Sequence, residues 1–333
     1  MTKKWGKLRN GLSVIIVNWN TRDMLQNCLE SLREDMAGQG IKVIVVDNDS
    51  KDGSRDMVQT KFPSVTLINS GGNIGFGRAN NFAIPVTDTR YVVFLNPDTL
   101  VMKGTLSTMV NFMERNTDIG GMSCKITYGP NQNETTGTED GAHTLGLQWF
   151  PSPLTELIQL LFLTDKTILK FKKILPYKNP NESHYVKKLY GTCLMVRKSI
   201  LEQIGYFDEQ FFMYGEDVDI SKRITDAGWK LYYLSDVSIA HLAGGSTSNT
   251  YSEFSTLMKC EYISKLIKKN YGKLGQRIYK IVILTGALLR FCALKIGRII
   301  HRSRPISINS AQEKKYVAMI KWSLGMTRPS IPG

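Results

Sequence analysis

From Ser13 onward the chain alternates short unbroken apolar runs with segments of helical spacing. Ser13–Val17 (SVIIV) is a β-branched run of the kind a strand covered on both faces requires. After the polar NWNT, the residues Met24, Leu25, Cys28, Leu29 and Leu32 recur at helical spacing, with Thr21 placed to cap the helix. Val43–Val46 predicts a second buried strand, ended by the turn-forming DNDSKDGS. Ser54–Lys61 reads as a short helix stopped by Pro63, and Val65–Ile68 and Tyr91–Leu95 as two further strands. Such β-α-β-α alternation implies an α/β domain with a mostly parallel sheet and helices on both faces.

From Thr127 to Lys188 the pattern breaks. The stretch is rich in Pro, Asn, Gly and Thr, then turns apolar and basic around Leu154–Leu175, and reads as an insertion in the sheet domain. Regular spacing resumes at Leu189–Val196. It is followed by helices near Lys198–Ile204 and Glu216–Ala227 and strands near Lys230–Leu234 and Val237–His241. The chain therefore divides into an α/β sheet domain over 1–250 and a helical tail over 251–333.

Charge sharpens that division. The 333 residues carry 43 Lys and Arg against 29 Asp and Glu, a net charge of +14. Residues 255–333 alone hold 16 of the cations and 2 of the acids, so the body before them is neutral. A basic chain can indicate a nucleic-acid binder, but here the cations sit in one tail without an RNA- or DNA-binding motif, so no nucleic-acid partner is expected. The five cysteines are widely spaced without a C-x-x-C, and most sit inside apolar runs, as buried thiols of a reducing cytosol would. The first residues, MTKKWGKLRNG, are too polar for a signal peptide. No run approaches the roughly 20 apolar residues of a spanning helix. The expectation is a cytoplasmic protein, peripheral on the inner face of the membrane.

In an open α/β sheet, ligands bind outside the carboxyl ends of the strands. Three polar clusters lie at those ends: Asn18–Asn20, Asp47–Ser50 and Asn96–Asp98. FLNPD sets Asp98 just past a buried strand, where a carboxylate can share a hard cation with a pyrophosphate. Taken singly, FLNPD and DNDSKDGS are also what plain acidic turns look like. GGNIGFGRANN lacks the third glycine of a dinucleotide fingerprint, since Asn80 stands there, but its Arg78 lies in the first turn of a helix and could reach a nucleotide. In FFMYGEDVDISKR, Glu216, Asp217 and Asp219 crowd a helix start, where the dipole favours acids. His241 ends an apolar strand.

In this order, SVIIVNWN, VIVVDNDSKDGS, NIGFGRANN, YVVFLNPDT, GTCLMVRKSILEQIGYFDEQFFMYGEDVDISKRITDAGW and AHLAGGS resemble glycosyltransferase family 2. Within it they look most like the rhamnosyltransferase-type members that build bacterial cell-surface polysaccharides. The resemblance runs from about Leu12 to Ser248 and implies a GT-A fold. It also implies an inverting transferase using a nucleotide diphosphate sugar, dTDP- or UDP-linked, and a lipid-linked saccharide acceptor. By resemblance, Val17 and Trp19 line the base pocket, Asp47 and Asn48 meet base and ribose, and Arg78 meets base or phosphates. Asp98 takes the last position of the D-x-D motif and binds Mg²⁺ or Mn²⁺, with His241 completing the metal site. Asn96 stands where many members have the first Asp, which leaves its share in metal or ribose binding open. Asp217 matches the catalytic base.

The tail adds a partner. On a helical wheel, Arg277, Lys280, Arg290, Lys295, Arg298 and Arg302 share a face about 140° wide, with Ile281–Leu284, Leu288 and Phe291 filling much of the remainder. That pattern predicts an in-plane amphipathic helix on an anionic membrane surface.

Overall fold

A computed structural model describes residues 11–36, 40–128, 149–162, 179–242, 252–300 and 310–330. The first half runs β1 (Leu12–Asn18), α1 (Arg22–Met36), β2 (Ile41–Asp47), α2 (Ser54–Lys61), β3 (Thr66–Asn69), α3 (Phe76–Ala83), β4 (Tyr91–Leu95) and β5 (Thr99–Val101). Then come α4 (Thr105–Arg115), β6 (Ile119–Tyr128), α5 (Pro153–Phe162), β7 (His184–Val186), β8 (Cys193–Arg197), α6 (Lys198–Ile204), α7 (Glu216–Asp226) and β9 (Lys230–His241). The tail forms α8 (Glu253–Ile300), broken at Gly272, and α9 (Ser310–Ser323).

The strands form one sheet in the order β3-β2-β1-β4-β8-β6-β9-β5, with β7 on β9. The pairs joining β3, β2, β1 and β4 are parallel, as the βα alternation predicts. Beyond β4 the sheet is mixed: β8 enters antiparallel between β4 and β6, while β6 and β9 run parallel. The unbroken apolar runs follow from burial on both faces. Along β1, Val14 and Ile16 face a core shared with α1, α2 and α4, while Ile15 and Val17 face one shared with α3, α6 and α7.

Several boundaries differ from the sequence reading. Lys230–Leu234 and Val237–His241 are one strand, whose pairing with β6 shifts register between Cys124 and Lys125. A bulge absorbs the polar Ser235–Asp236 that looked like a break. Elements β5, α4 and β6 lie in a stretch whose pattern gave no reading of them. Of the irregular stretch from 127 to 188, residues 129–148 and 163–178 lie outside the described residues. The described remainder supplies α5, which packs on α8, and β7, which joins the sheet.

The tail is layered rather than single. Gly272 takes φ 69°, so α8 is two helical arms meeting at a turn that an L-residue would resist. Leu257, Cys260 and Ile267 of the first arm pack with Tyr279 and Ile283 of the second and with Ala318 and Trp322 of α9.

Arg197, 5% exposed, ties the middle of the sheet to the end of α4. It donates to the carbonyls of Met113, Asn116 and Ile119 at 2.7, 3.1 and 2.8 Å and to the Tyr91 hydroxyl at 3.0 Å. Two of these carbonyls, Met113 and Asn116, lie at the C-terminal end of α4, where each also accepts one backbone N–H at 3.2 Å. Arg197→Met should therefore remove four hydrogen bonds from a buried site and cost about 3 kcal/mol. The check is a lower urea midpoint at unchanged m-value.

Candidate active site

A cleft of about 740 Å³ opens at the carboxyl ends of β1, β2 and β4. Val17, Trp19, Asn48, Asn96 and Asp98 line it, together with Arg22, Asp52, Phe76, Phe212 and Phe254. Five of the nine residues singled out in the sequence thus share one cavity. Its rim is braced by polar side chains that replace regular backbone pairing. Asn18, fully buried, donates to Ser50 Oγ at 2.9 Å and accepts from Thr21 Oγ1 at 2.6 Å. Asn48 accepts from Ile74 N at 3.0 Å and donates to Asn73 Oδ1 at 2.9 Å, which fastens the glycine loop to the cleft.

Asp47 and Arg78 are placed differently. Asp47 lies beneath the cleft, accepting from Ser50 N at 3.0 Å with Arg55 Nε 3.5 Å away. Arg78 projects from α3 with a side chain 53% exposed and pairs with Glu209 at 3.4 Å.

The meeting of Asp98 and His241 follows from strand register. Thr99 of β5 pairs with His241 of β9, and Leu242 N donates to Asp98 O at 2.8 Å. His241 Nε2 consequently lies 3.0 Å from Asp98 Oδ2. Two ligand atoms at that spacing can sit on adjacent positions of one small divalent cation. Among the described residues no cluster of three or more His, Cys, Asp or Glu could hold a metal. The residues therefore fit a cation held by two protein ligands and the oxygens of a bound diphosphate, the manner in which Mg²⁺ is often held.

Asp217 stands behind the cleft, not on its lining. A Cβ at Gly191 would fall 3.6 Å from Asp217 Cβ and 3.8 Å from the ring of the cleft-lining Phe76, so both side chains border the open space at Gly191. Asp217 accepts from Gly191 N at 3.0 Å and Val218 N at 2.8 Å. Burial raises its pKa, while those two amides and the Lys188 ammonium hold it down in part. Glu216 is raised too, by burial and by the adjacent Asp217 charge. Lys188 donates to Trp149 O at 3.2 Å and feels both Asp217 and Glu156 of α5. Burial pushes Glu156 up to about 7, with Lys188 opposing. Neither Lys188 nor Glu156 stood out in the sequence, where each is one charge in a mixed apolar and basic stretch.

The tail completes this wall. Tyr214 and Gly215, at φ 66° and 89°, form a left-handed turn that aims the start of α7. A Cβ on Gly215 would lie 2.6 Å from the ring of Tyr262 in the first arm of α8. Lys269 of the same arm binds Asp219 and Asp208, both at 2.6 Å. Phe254, also from α8, reaches the cleft itself.

Solved structures share the fold. A mannosyltransferase of Pyrobaculum calidifontis, in complex with GDP-Man and Mn²⁺, aligns over 97% of this chain and 90% of its own with a TM-score of 0.58 at 14% identity. GalNAc-T7, with UDP, GalNAc and Mn²⁺, aligns over 95% of this chain and 56% of its own at a TM-score of 0.55 and 15% identity. The fold is that of the GT-A glycosyltransferases, as the sequence blocks imply.

Residues 13–205 match the family model for glycosyl transferase family 2, and the chain belongs to that family. Among curated relatives, the N-acetylglucosaminyl-diphospho-decaprenol L-rhamnosyltransferase of Mycobacterium tuberculosis is 28% identical over 71% of this chain and 77% of its own. The rhamnosyltransferase WbbL of Escherichia coli is 26% identical over 72% and 86%. The chain is a hexosyltransferase.

The contact between Gly215 and Tyr262 yields a test. Gly215→Ala must force a methyl into Tyr262 and strain a left-handed position. It should lower kcat at least about tenfold by misplacing the start of α7, with nucleotide diphosphate binding to the cleft changed less than threefold in titration calorimetry, on the order of 0.6 kcal/mol.

Proposed function

We propose that this hexosyltransferase is an inverting, metal-dependent rhamnosyltransferase of cell-surface polysaccharide synthesis. In this reading it takes its sugar from a dTDP- or UDP-linked donor. The acceptor is a lipid-linked saccharide met at the cytoplasmic face of an anionic membrane. The named activities of the two curated relatives support the sugar and, in the mycobacterial one, a lipid diphosphate acceptor. The single observation that carries the chemistry is the cleft lined by Asp98, on which His241 closes at 3.0 Å, with Asp217 beside Gly191 and the cleft-lining Phe76.

The donor's base fits between Val17 and Trp19, with Asn48 and Asp47 holding the turn that meets the ribose and Asn96 beside the diphosphate. Arg78, on the outer side of α3, would have to leave Glu209 to reach a phosphate. Asp98 and His241 would hold Mg²⁺ or Mn²⁺, whose charge stabilises the departing diphosphate. Asp217 removes the proton of an acceptor hydroxyl as that oxygen attacks the anomeric carbon. The bond from that carbon to the phosphate oxygen breaks on the opposite face, and its electron pair leaves with the nucleotide diphosphate, inverting the centre. The two amides from Gly191 and Val218 orient the carboxylate, and Lys188 keeps enough of it ionised to act.

The base is tested by Asp217→Asn, which keeps the shape and the amide contacts but cannot take a proton. It should lose at least about a hundredfold in kcat with donor affinity nearly unchanged; near-normal turnover would remove Asp217 from the reaction. The sign of the pH effect follows from the raised pKa. Activity needs the carboxylate, so it falls as pH drops through a value above the usual Asp range. Lys188→Met removes a cation that favours the charged form, so the acidic limb of the kcat profile should move to higher pH.

The metal site has its own test. EDTA should abolish transfer, and Mg²⁺ or Mn²⁺ should restore it. Asp98→Ala should weaken nucleotide diphosphate binding in the presence of the cation, and His241→Ala should do so less. Full activity in chelator would refute the metal role.

A further inference from the structure

The second arm of α8 has three faces, not two. With Tyr279 at zero and about 100° per residue, the buried Tyr279, Val282, Ile283 and Ala287 lie within about 80° of it and pack into the helical layer. Lys273, Arg277, Lys280 and Lys295 fall between about +100° and +160°. The third face, centred near about −120°, carries Leu274, Ile278, Ile281, Leu289 and Ile296. These five are between 42% and 69% exposed. They form an apolar stripe about 33 Å long, bordered along one side by Arg277 and Lys295. The sequence wheel had merged the packed and exposed apolar faces, because period alone cannot say which apolar side chains find a partner.

The insertion widens this surface. A Cβ on Gly275 would lie 3.7 Å from Pro153 Cγ, so α5 rides directly on the arm. The next residue, Leu154, is 64% exposed and Leu157 is 37% exposed. Exposed apolar surface of this extent rarely stays bare in water.

We propose that the stripe on the second arm of α8, with Leu154 and Leu157 of α5, is the face by which the enzyme lies on an anionic lipid bilayer. This rests on the reading of the acceptor as lipid-linked. Charge selects the occupant. Residues 255–333 hold 16 Lys and Arg and 2 acids. Both acids are engaged within the helical layer: Glu313 pairs with Lys295, and Glu261 accepts from Trp322 Nε1 at 3.0 Å. A second copy docked stripe to stripe would bring two rows of cations together with no carboxylate to meet them. Anionic headgroups supply the missing charge, and acyl chains the apolar contact. No helix among the described residues is long and apolar enough to cross a membrane, so the arm lies in the interface. The first arm connects that face to Tyr262 and Lys269, which hold the Asp217 segment, so the bilayer is set at a fixed distance from the base.

The test uses the whole chain in vesicle co-sedimentation, without donor or acceptor, on phosphatidylcholine with and without phosphatidylglycerol. The wild type should bind the anionic vesicles and lose binding as salt rises. Ile281→Asp with Leu289→Asp, and separately Lys273→Glu with Arg277→Glu, should each cut partitioning at least about tenfold. All four sites are exposed, so circular dichroism and turnover on a short water-soluble acceptor should be unchanged. Wild-type partitioning by the apolar double variant overturns the proposal. So does a lipid-free dimer, seen by light scattering, that the same variant converts to monomer, since the face would then belong to a second copy. Failure to bind vesicles leaves the proposed transfer reaction standing. A protein that binds them yet transfers no sugar removes that reaction and leaves the face.

Discussion

The arrangement of the Asp217 segment depends on one buried carboxylate. Asp219, its side chain only 4% exposed, is held between Arg223 at 2.7 Å and Lys269 at 2.6 Å. An ion removed from water in this way costs several kcal/mol unless its partners are well placed. Both partners here belong to helices that must therefore stay together. Arg223 also donates to the carbonyls of Ile204, Gly205 and Tyr206, at 3.0, 2.7 and 2.7 Å. One acid thus joins α7, the end of α6 and the first arm of α8. The tail that composition sets apart is, in space, the back wall of the Asp217 segment.

The cleft is governed by a different constraint, the register of strands. Parallel pairing of β1 with β2 and β4 brings Asn18, Asp47 and Leu95 to one edge, so the polar residues that follow them converge. Antiparallel pairing of β5 with β9 then carries His241, far away in sequence, onto Asp98. Left-handed residues hold the intervening loops open: Asn20 at φ 53°, Asp49 at φ 68° and Gly75 at φ 89°. At Gly75 a Cβ would lie 2.5 Å from Phe212 O, so the loop can close on the segment before Glu216 only because it carries no side chain.

Asp217 is one of a chain of partly or wholly buried ionisable groups, with Glu156, Lys188 and Glu216. Burial pushes all three acids up and the lysine down. Lys188 favours the ionised form of both Glu156 and Asp217, and each carboxylate favours the charged lysine. Glu156 sits on the same helix as the exposed Leu154 and Leu157, one turn or less away. The helix that carries the exposed leucines and the lysine that favours ionised Asp217 are therefore linked through Glu156.

Much of this was readable from the chain alone because local signals decide it. Ser54–Lys61, Tyr91–Leu95 and Lys198–Ile204 have the bounds that spacing and turn residues set. The polar clusters after the strands mark the cleft because a two-face-buried strand admits polar residues only where it ends. Asp98, Asn48 and Trp19 were legible on that ground, and the family resemblance added Asp217 and His241. Tertiary structure alone decided the rest. Lys188, Glu156, Tyr262 and Phe254 belong to segments with no motif; Glu156, Tyr262 and Phe254 reach this region because α5 and α8 fold back onto it, and Lys188 because it lies in the loop joining β7 to β8. The mixed half of the sheet depends on pairings that strand composition does not encode. The tail's apolar residues could be assigned to a packed or an exposed face only once their partners were in place, because helical period fixes direction around an axis and says nothing of what lies there.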